Sequence, residues 1–536
     1  MSQEGSEKQR LLHGVAVLMP ATAVAKVVGL CYKIPLIAIV GISGMAYFLA
    51  AYHLYSAVFV LVATGLPTAL SLSVARYAAA GEAKAAQRAL WISVTLLCIV
   101  GLCGSAALLL FAPQLAGRIA MADATTAIVA VAPALLLSAF TGAVKGYFQG
   151  LHRMLPTAVS EVIEALGKLG FGLFFALLAK GRGEPAPVVA AYAVCGITAG
   201  LALAALVLAV WLFCHLLKTS RAGNAPPPHR ALLGELWRVA TPITVNSLVM
   251  SLGTLADTAL IARRLQAAGF APLAANALYS CYGNLALPLY NLVPTLLTPV
   301  ALALMPALGA ALARGDLRAG QSALATALRL TALLAIPSAL GLALLSQPLL
   351  TLIYGRQEAV ATAATLLSLL ALSVLPLTLL TLLGAALQAA GHAALPVWAM
   401  AVGLPVKLGV EWILLALPQV HVYGAPISTL CCNLTVLTVE AVALARCLPF
   451  RPIAPRDLFL PLGAALPAVG AGVAVYMWLS TVALDARWIV LPPLVLTVAV
   501  FLPFALRLGA LTGEDLDALP GGRLLCALLR RCKMLK

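Results

Sequence analysis

Ala25-Lys26-Val27-Val28-Gly29-Leu30-Cys31-Tyr32-Lys33-Ile34-Pro35-Leu36 lies in the middle of the first long apolar segment of the chain. Its two lysines are seven residues apart, which at 3.6 residues per turn sets them on one helical face with Gly29 between them. The stretch reads as a membrane-crossing helix that carries charge at depth. Each such charge costs about 2.5–3.5 kcal/mol at the bilayer centre, and each surrounding Val, Leu or Ile returns only about 0.3–0.6 kcal/mol. Alone, the helix would insert marginally. The pair is tolerable where it faces a water-filled cavity or an anionic partner. Snorkelling is the competing reading, but about 10 Å of helix axis separates the two residues, so one surface does not easily serve both.

The rest of the chain supports the membrane reading. Hydrophobic residues make up 62% of 536 and charged residues 10%, with mean hydropathy +1.03. A soluble protein of this size carries about a quarter charged residues. The 33 prolines and 42 glycines suit kinked, closely crossing membrane helices. The net charge of +16 is read as basic cytoplasmic loops and not as a nucleic-acid surface. Eleven cysteines lie mostly in apolar runs without a C-x-x-C, so they read as small buried hydrophobes, with no disulfide framework and no metal site.

Fourteen apolar segments are long enough to span, from 13–41 to 487–508. With an even number of spans, one side of the membrane collects 22 Lys and Arg and the other 7, leaving five lysines within spans. Both termini are therefore expected in the cytoplasm. The halves also repeat. Gly81-Glu82-Ala83-Lys84-Ala85-Ala86-Gln87-Arg88-Ala89-Leu90 recurs as Gly315-Asp316-Leu317-Arg318-Ala319-Gly320-Gln321-Ser322-Ala323-Leu324, at a shift of 234. A second echo, 239–240 residues apart, pairs Lys168-Leu169-Gly170 with Lys407-Leu408-Gly409. Six spans per copy makes this a parallel repeat. The expected organisation is all-α: a six-helix lobe over 1–222, a second over 223–450, two further helices over 451–512, and a cytoplasmic amphipathic tail over 513–536 drawn to anionic lipid.

Several polar groups sit at membrane depth. Glu164 and Lys168 are i,i+4 partners, with Glu161 one turn earlier, and Lys407 and Glu411 repeat that spacing. They are self-neutralising pairs that make the helices insertable, or paired charges that line a cavity and couple to an ion. Asp257 is an isolated carboxylate whose expected partner is Lys33 or Arg263, as a substrate group or as a salt bridge between lobes. His53, Asn284 and Asn291 are weaker candidates, His53 reading first as a satisfied bundle residue. Glu440 is expected to snorkel toward Arg446. Pro288, Pro294, Pro299 and Pro306 suggest bending in the eighth span. No P-loop, H-E-x-x-H or G-x-S-x-G pattern occurs, and the short outer loops give an enzyme no active-site roof.

The runs Lys26–Leu36, Gly65-Leu-Pro-Thr-Ala-Leu70, Lys145-Gly-Tyr-Phe-Gln-Gly150, Met154-Leu-Pro-Thr-Ala158 and Ile261-Ala-Arg-Arg-Leu265 together resemble the stage V sporulation protein B group. That group lies in the polysaccharide-flippase branch of the MOP superfamily, related to lipid II flippases and MATE exporters. The resemblance implies a fourteen-helix, two-lobe transporter in the bacterial cytoplasmic membrane, moving an undecaprenyl-diphosphate-linked saccharide such as a peptidoglycan precursor by alternating access. It implies a monomer that is not an enzyme, with Lys26 and Lys33 holding the diphosphate. Asp257, His53 and Asn291 join them as candidate substrate contacts. The two C-terminal helices would offer a groove for the polyprenyl tail. No cofactor is expected; whether H+ or Na+ couples to transport stays open. The alternative is a cation-coupled exporter of small organic molecules on the same scaffold, which would use Asp257, Glu161 and Glu164.

Overall fold

In a computed structural model, residues 21–509 are described apart from 22, 23, 26, 30, 152, 219–227, 449–455 and 483–486. Lys26 and the 513–536 tail, with its expected lipid contact, therefore lie outside the described residues. Nearly every described residue is helical and none is in a strand. The protein is an all-α, multi-pass membrane protein. Large apolar side chains such as Leu110, Phe174, Leu206 and Trp398 stand more than half exposed, which suits faces that meet acyl chains.

The helices fall into two compact units. Unit 1 runs to Gln266 and includes Phe270–Ser280. It contains α1 (Val27–Val40), α2 (Ile42–Ala63), α3 (Gly65–Ala79), α4 (Ala83–Arg118), α5 (Thr125–Gly150), α6 (Leu155–Gly181), α7 (Ala186–Lys218), α8 (His229–Ala267) and α9 (Pro272–Ser280). Unit 2 takes Ala267–Gly269 and the chain from Cys281 onward and contains α10 (Leu287–Ala313), α11 (Leu317–Leu344), α12 (Ser346–Tyr354), α13 (Glu358–Ala371), α14 (Val374–Ala389), α15 (Ala394–Leu414), α16 (Gly424–Cys447), α17 (Arg456–Val482) and α18 (Leu491–Arg507). Packing thus divides the chain near 266–281, whereas the repeat divides it at 222–223. The two boundaries describe different properties.

Among the described residues, ten helical stretches are long and apolar enough to cross by themselves, α2 with α3 (Ile42–Ala78) counting as one, and α13 with α14, bent by 44°, makes an eleventh; the sequence suggests fourteen. Helix α8 carries Glu235, Arg238, Asp257, Arg263 and Arg264, which lowers its apolarity.

Unit 1 packs through small residues. A Cβ on Gly167 of α6 would lie 2.7 Å from Gly200 Cα of α7, so the two backbones touch, as membrane helices do where small residues face each other. Its apolar core joins Leu66 and Leu70 of α3, Leu90 and Leu97 of α4, Val144 and Tyr147 of α5, Leu208 of α7 and Leu236 of α8. In unit 2, Ala332, Leu333 and Ile336 of α11 pack on Ala464, Ala465 and Ala468 of α17 and on Phe501 and Ala505 of α18. The last two helices are thereby fixed along α11.

The chain passes from unit 1 to unit 2 at Ser280–Cys281. There α9 leads into a π-helical turn, Cys281–Ala286, a geometry frequent at functional sites. The Tyr354 hydroxyl donates to Asn284 O in that turn at 3.2 Å.

Two expectations are corrected. Glu440 is 3% exposed, because the 432/436/440/444 face of α16 is buried and Gly384 of α14 leaves room beside its Oε1. It does not snorkel toward Arg446, which is exposed. Cys31, Cys103 and Cys214 are exposed, not buried, lying on outward helix faces where apolar neighbours are exposed too.

Candidate functional site

The polar residues of unit 1 converge because one aromatic side chain anchors the first helix. Tyr32 of α1 is 1% exposed and its hydroxyl donates to Ala193 O of α7 at 3.2 Å. Gly172 of α6 makes the space, since a Cβ there would fall 2.5 Å from the Tyr32 hydroxyl oxygen. With Tyr32 pinned, the adjacent Lys33 is half-buried and lies within electrostatic reach of Lys168 and His53.

The Lys168 ammonium sits 5.0 Å from the Tyr52 ring centroid and 5.8 Å from that of Tyr32. Such cation–π contacts supply about 0.5–2 kcal/mol, the upper end where water is excluded. The i,i+4 spacing had suggested Glu164 as its partner. Glu164 Oε2 instead lies 3.4 Å from Lys145 Nζ of α5, a lysine not singled out as a candidate on its own. The helix spacing alone could not reveal this, because the competing partner comes from another helix. Glu161, Glu164 and Lys145 line a polar cavity of about 240 Å³ together with Gln149, Thr68 and Ser138.

His53 of α2 is bonded to α8 and α9. Its Nδ1 is 2.6 Å from Thr258 Oγ1 and 3.1 Å from the Tyr279 hydroxyl, and that hydroxyl donates to Thr258 Oγ1 at 3.1 Å. Thr258 also donates to Thr254 O at 2.9 Å, so His53, Thr258 and Tyr279 form one hydrogen-bonded cluster. Histidine here is a satisfied bundle residue that fixes α8 against α2. Asp257, one residue before Thr258, is half-buried on α8, and Arg263 is exposed.

Helix α8 is held along α2 and α3 at further points. Ser251 Oγ donates to Ser56 O at 3.3 Å. Glu235 accepts from Ser73 Oγ at 2.8 Å and from the Tyr77 hydroxyl at 3.1 Å, and pairs with Arg76 at 2.9 Å. Glu235 was missed in the sequence because an acid near a helix start resembles ordinary dipole complementation.

The remaining candidates lie in unit 2. Glu411 is fully buried and Lys407 half-buried, the latter within electrostatic reach of Tyr290. Asn291 is exposed, while Asn284 is buried in the π-helical turn.

Residues 11–312 match the family described as "Polysaccharide biosynthesis protein", and residues 242–413 match the MatE family. The chain is 24% identical over 456 residues to "Stage V sporulation protein B" of Bacillus subtilis (strain 168), covering 82% of this chain and 85% of that protein. It is 24% identical over 440 residues to "Lipid II flippase MurJ" of the same organism, covering 78% and 80%. A solved structure titled "Lipid II flippase MurJ, inward closed conformation" superposes with TM-score 0.64 at 15% identity, covering 91% of this chain and 98% of that one.

Proposed function

Since the chain belongs to the polysaccharide biosynthesis protein family, among the flippases and transporters of the MOP superfamily, we propose that it moves a polyprenyl-diphosphate-linked saccharide across the membrane. A peptidoglycan precursor is the substrate we favour, on the strength of relatives named as a lipid II flippase and a sporulation protein. The observation that carries this reading is the Lys168 ammonium 5.8 Å from the ring of Tyr32, the residue next to Lys33, which gathers the two lysines inside unit 1. Two cations at membrane depth repel each other, and a diphosphate is the ligand that turns the repulsion into attraction.

The residues take the following roles. Lys33 and Lys168 hold the diphosphate as mobile point charges, and Lys26, seven residues before Lys33 in the sequence, is assigned to the same task. Tyr32 and Tyr52 give the Lys168 ammonium a resting place before substrate arrives. Lys145 and the acids Glu161 and Glu164 form a polar recess for hydroxyl-bearing sugar. Asp257 and the Lys407/Glu411 pair are assigned to charge balance through the transport cycle. Transport is by alternating access, with both termini assigned to the cytoplasm from the excess of basic residues on that side.

The test is flipping of defined polyprenyl-diphosphate saccharides in proteoliposomes. Lys33→Ala and Lys168→Ala should each lower the rate at least tenfold while thermal unfolding shows a folded protein. Undiminished flipping by the double variant ends the assignment. Transport of organic cations with no effect on lipid-linked sugar would favour the exporter reading.

A further inference from the structure

We propose that the groove between α4 and the start of α8 is a binding site for an anionic phospholipid of the cytoplasmic leaflet. The groove is about 820 Å³ and is lined by Lys84, Gln87, Arg88 and His229 at one end, and by Trp91, Ile92, Leu96, Ile99 and Leu233 along its length. All of them belong to unit 1. The groove is separate from the Lys33–Lys168 site and does not rest on the flippase reading.

Three features identify the occupant. The first is charge: two cations and an imidazole gather at one mouth. The N-termini of α4 at Ala83 and of α8 at His229 open there as well, adding the positive ends of two long helices. The acids nearest in sequence are Glu82, the residue before α4, and Glu235, which is taken up by Ser73, Tyr77 and Arg76; neither lines the groove.

The second feature is length. From Arg88 to Ile99 is eleven residues of helix, or about 16 Å at 1.5 Å per residue. One leaflet of hydrocarbon is about 15 Å deep. A phosphate held at Arg88 thus lays its acyl chains along Ile92, Leu96 and Ile99 to the middle of the membrane. A soluble anion would leave that trough unfilled.

The third is the tryptophan. Trp91 is 51% exposed three residues beyond Arg88, and Ile99 is 54% exposed further along. An exposed indole below a basic mouth is placed where aromatic belts meet headgroups. The mouth also lies in the segments rich in Lys and Arg, which puts it on the cytoplasmic side by the charge bias, where anionic lipids concentrate. A lipid there would hold α8 against α4, adding to the apolar cluster that includes both Leu236 and Leu90.

The test uses the full chain in phosphatidylcholine vesicles doped with brominated phosphatidylglycerol, or with brominated phosphatidylcholine at the same fraction, and reads tryptophan quenching. The anionic lipid should quench about twofold more strongly at low fraction. Trp91→Phe should remove the excess quenching, and Lys84→Gln with Arg88→Gln should reduce it to the phosphatidylcholine level. An unchanged melting temperature in pure phosphatidylcholine confirms that this double variant is folded. The proposal is overturned by equal quenching from both lipids, by excess quenching that survives the double variant, or by its abolition with millimolar inorganic phosphate. Should the double variant not fold, Lys84→Glu alone, at an exposed position, must still lower the excess quenching.

Discussion

Tyr55 of α2 and Ser138 of α5 are joined by a hydroxyl–hydroxyl hydrogen bond of 2.7 Å, both side chains being buried. Moved on by 235 residues, the same two residue types meet again: Tyr290 and Ser373 lie 3.2 Å apart in unit 2. The repeat therefore extends from sequence to a specific internal contact. The copies differ in backbone, since Ser138 sits within the continuous α5 and Ser373 at the break between α13 and α14. Asn433 bridges the second pair, donating to Ser373 Oγ at 2.6 Å and to the Tyr290 hydroxyl at 3.2 Å.

That difference sets a stability order. Ser138→Ala leaves a buried tyrosine hydroxyl without this partner and should cost about 1–3 kcal/mol. Ser373→Ala should cost less, because Asn433 still bonds Tyr290. Tyr55→Phe should cost about 0.6 kcal/mol, the average for hydrogen bonds between membrane helices. Thermal unfolding in detergent reads all three, and the reverse order of the two serine variants would refute the bridging role of Asn433.

Lys33 and Lys168 should show opposite effects on stability and transport. They repel each other in the empty protein, which offsets the cation–π contacts of Lys168 with Tyr32 and Tyr52, so Lys168→Gln should leave the unfolding temperature unchanged or higher while lowering flipping at least tenfold, a trade-off common at binding sites. Lys168→Arg keeps the charge and the aromatic seat, and should retain part of the rate. A Lys168→Gln protein that is both less stable and fully active contradicts the prediction.

Much of this was legible in the residues. The helices follow from apolar runs whose length the bilayer dictates, and the repeat follows from matching turns. Partner choice was less legible. Lys168 has Glu164 one turn away on its own helix, yet the tyrosines of α1 and α2 take its ammonium and Lys145 of α5 takes the carboxylate. His53 meets Thr258 across 205 residues, a distance that no local spacing encodes. Glu440 was misread because burial on α16 depends on Gly384, a residue of another helix.

Glu235 should matter more than its visible ion pair suggests. Arg76 is 65% exposed in that pair, so Arg76→Ala should cost well under 1 kcal/mol. Glu235→Ala also strips Ser73, 2% exposed, of its acceptor and should cost about 1–2 kcal/mol. Equal losses from the two variants, measured by thermal unfolding, would show that only the ion pair counts.

Gly172 tests whether Tyr32 positions Lys33. A methyl group at Gly172 would stand 2.5 Å from the Tyr32 hydroxyl oxygen and 2.9 Å from its ring, so the ring must shift and its bond to Ala193 O must lengthen. Gly172→Ala should cost about 1–3 kcal/mol through overpacking and should lower flipping further by moving the adjacent Lys33. Gly170→Ala, two residues earlier on α6, meets nothing within 4 Å and should leave transport unchanged. Adding Tyr32→Phe to Gly172→Ala removes the clashing oxygen, so part of the lost stability and rate should return. If Gly172→Ala and Gly170→Ala transport alike, Tyr32 is packing only and the placement of Lys33 has another cause.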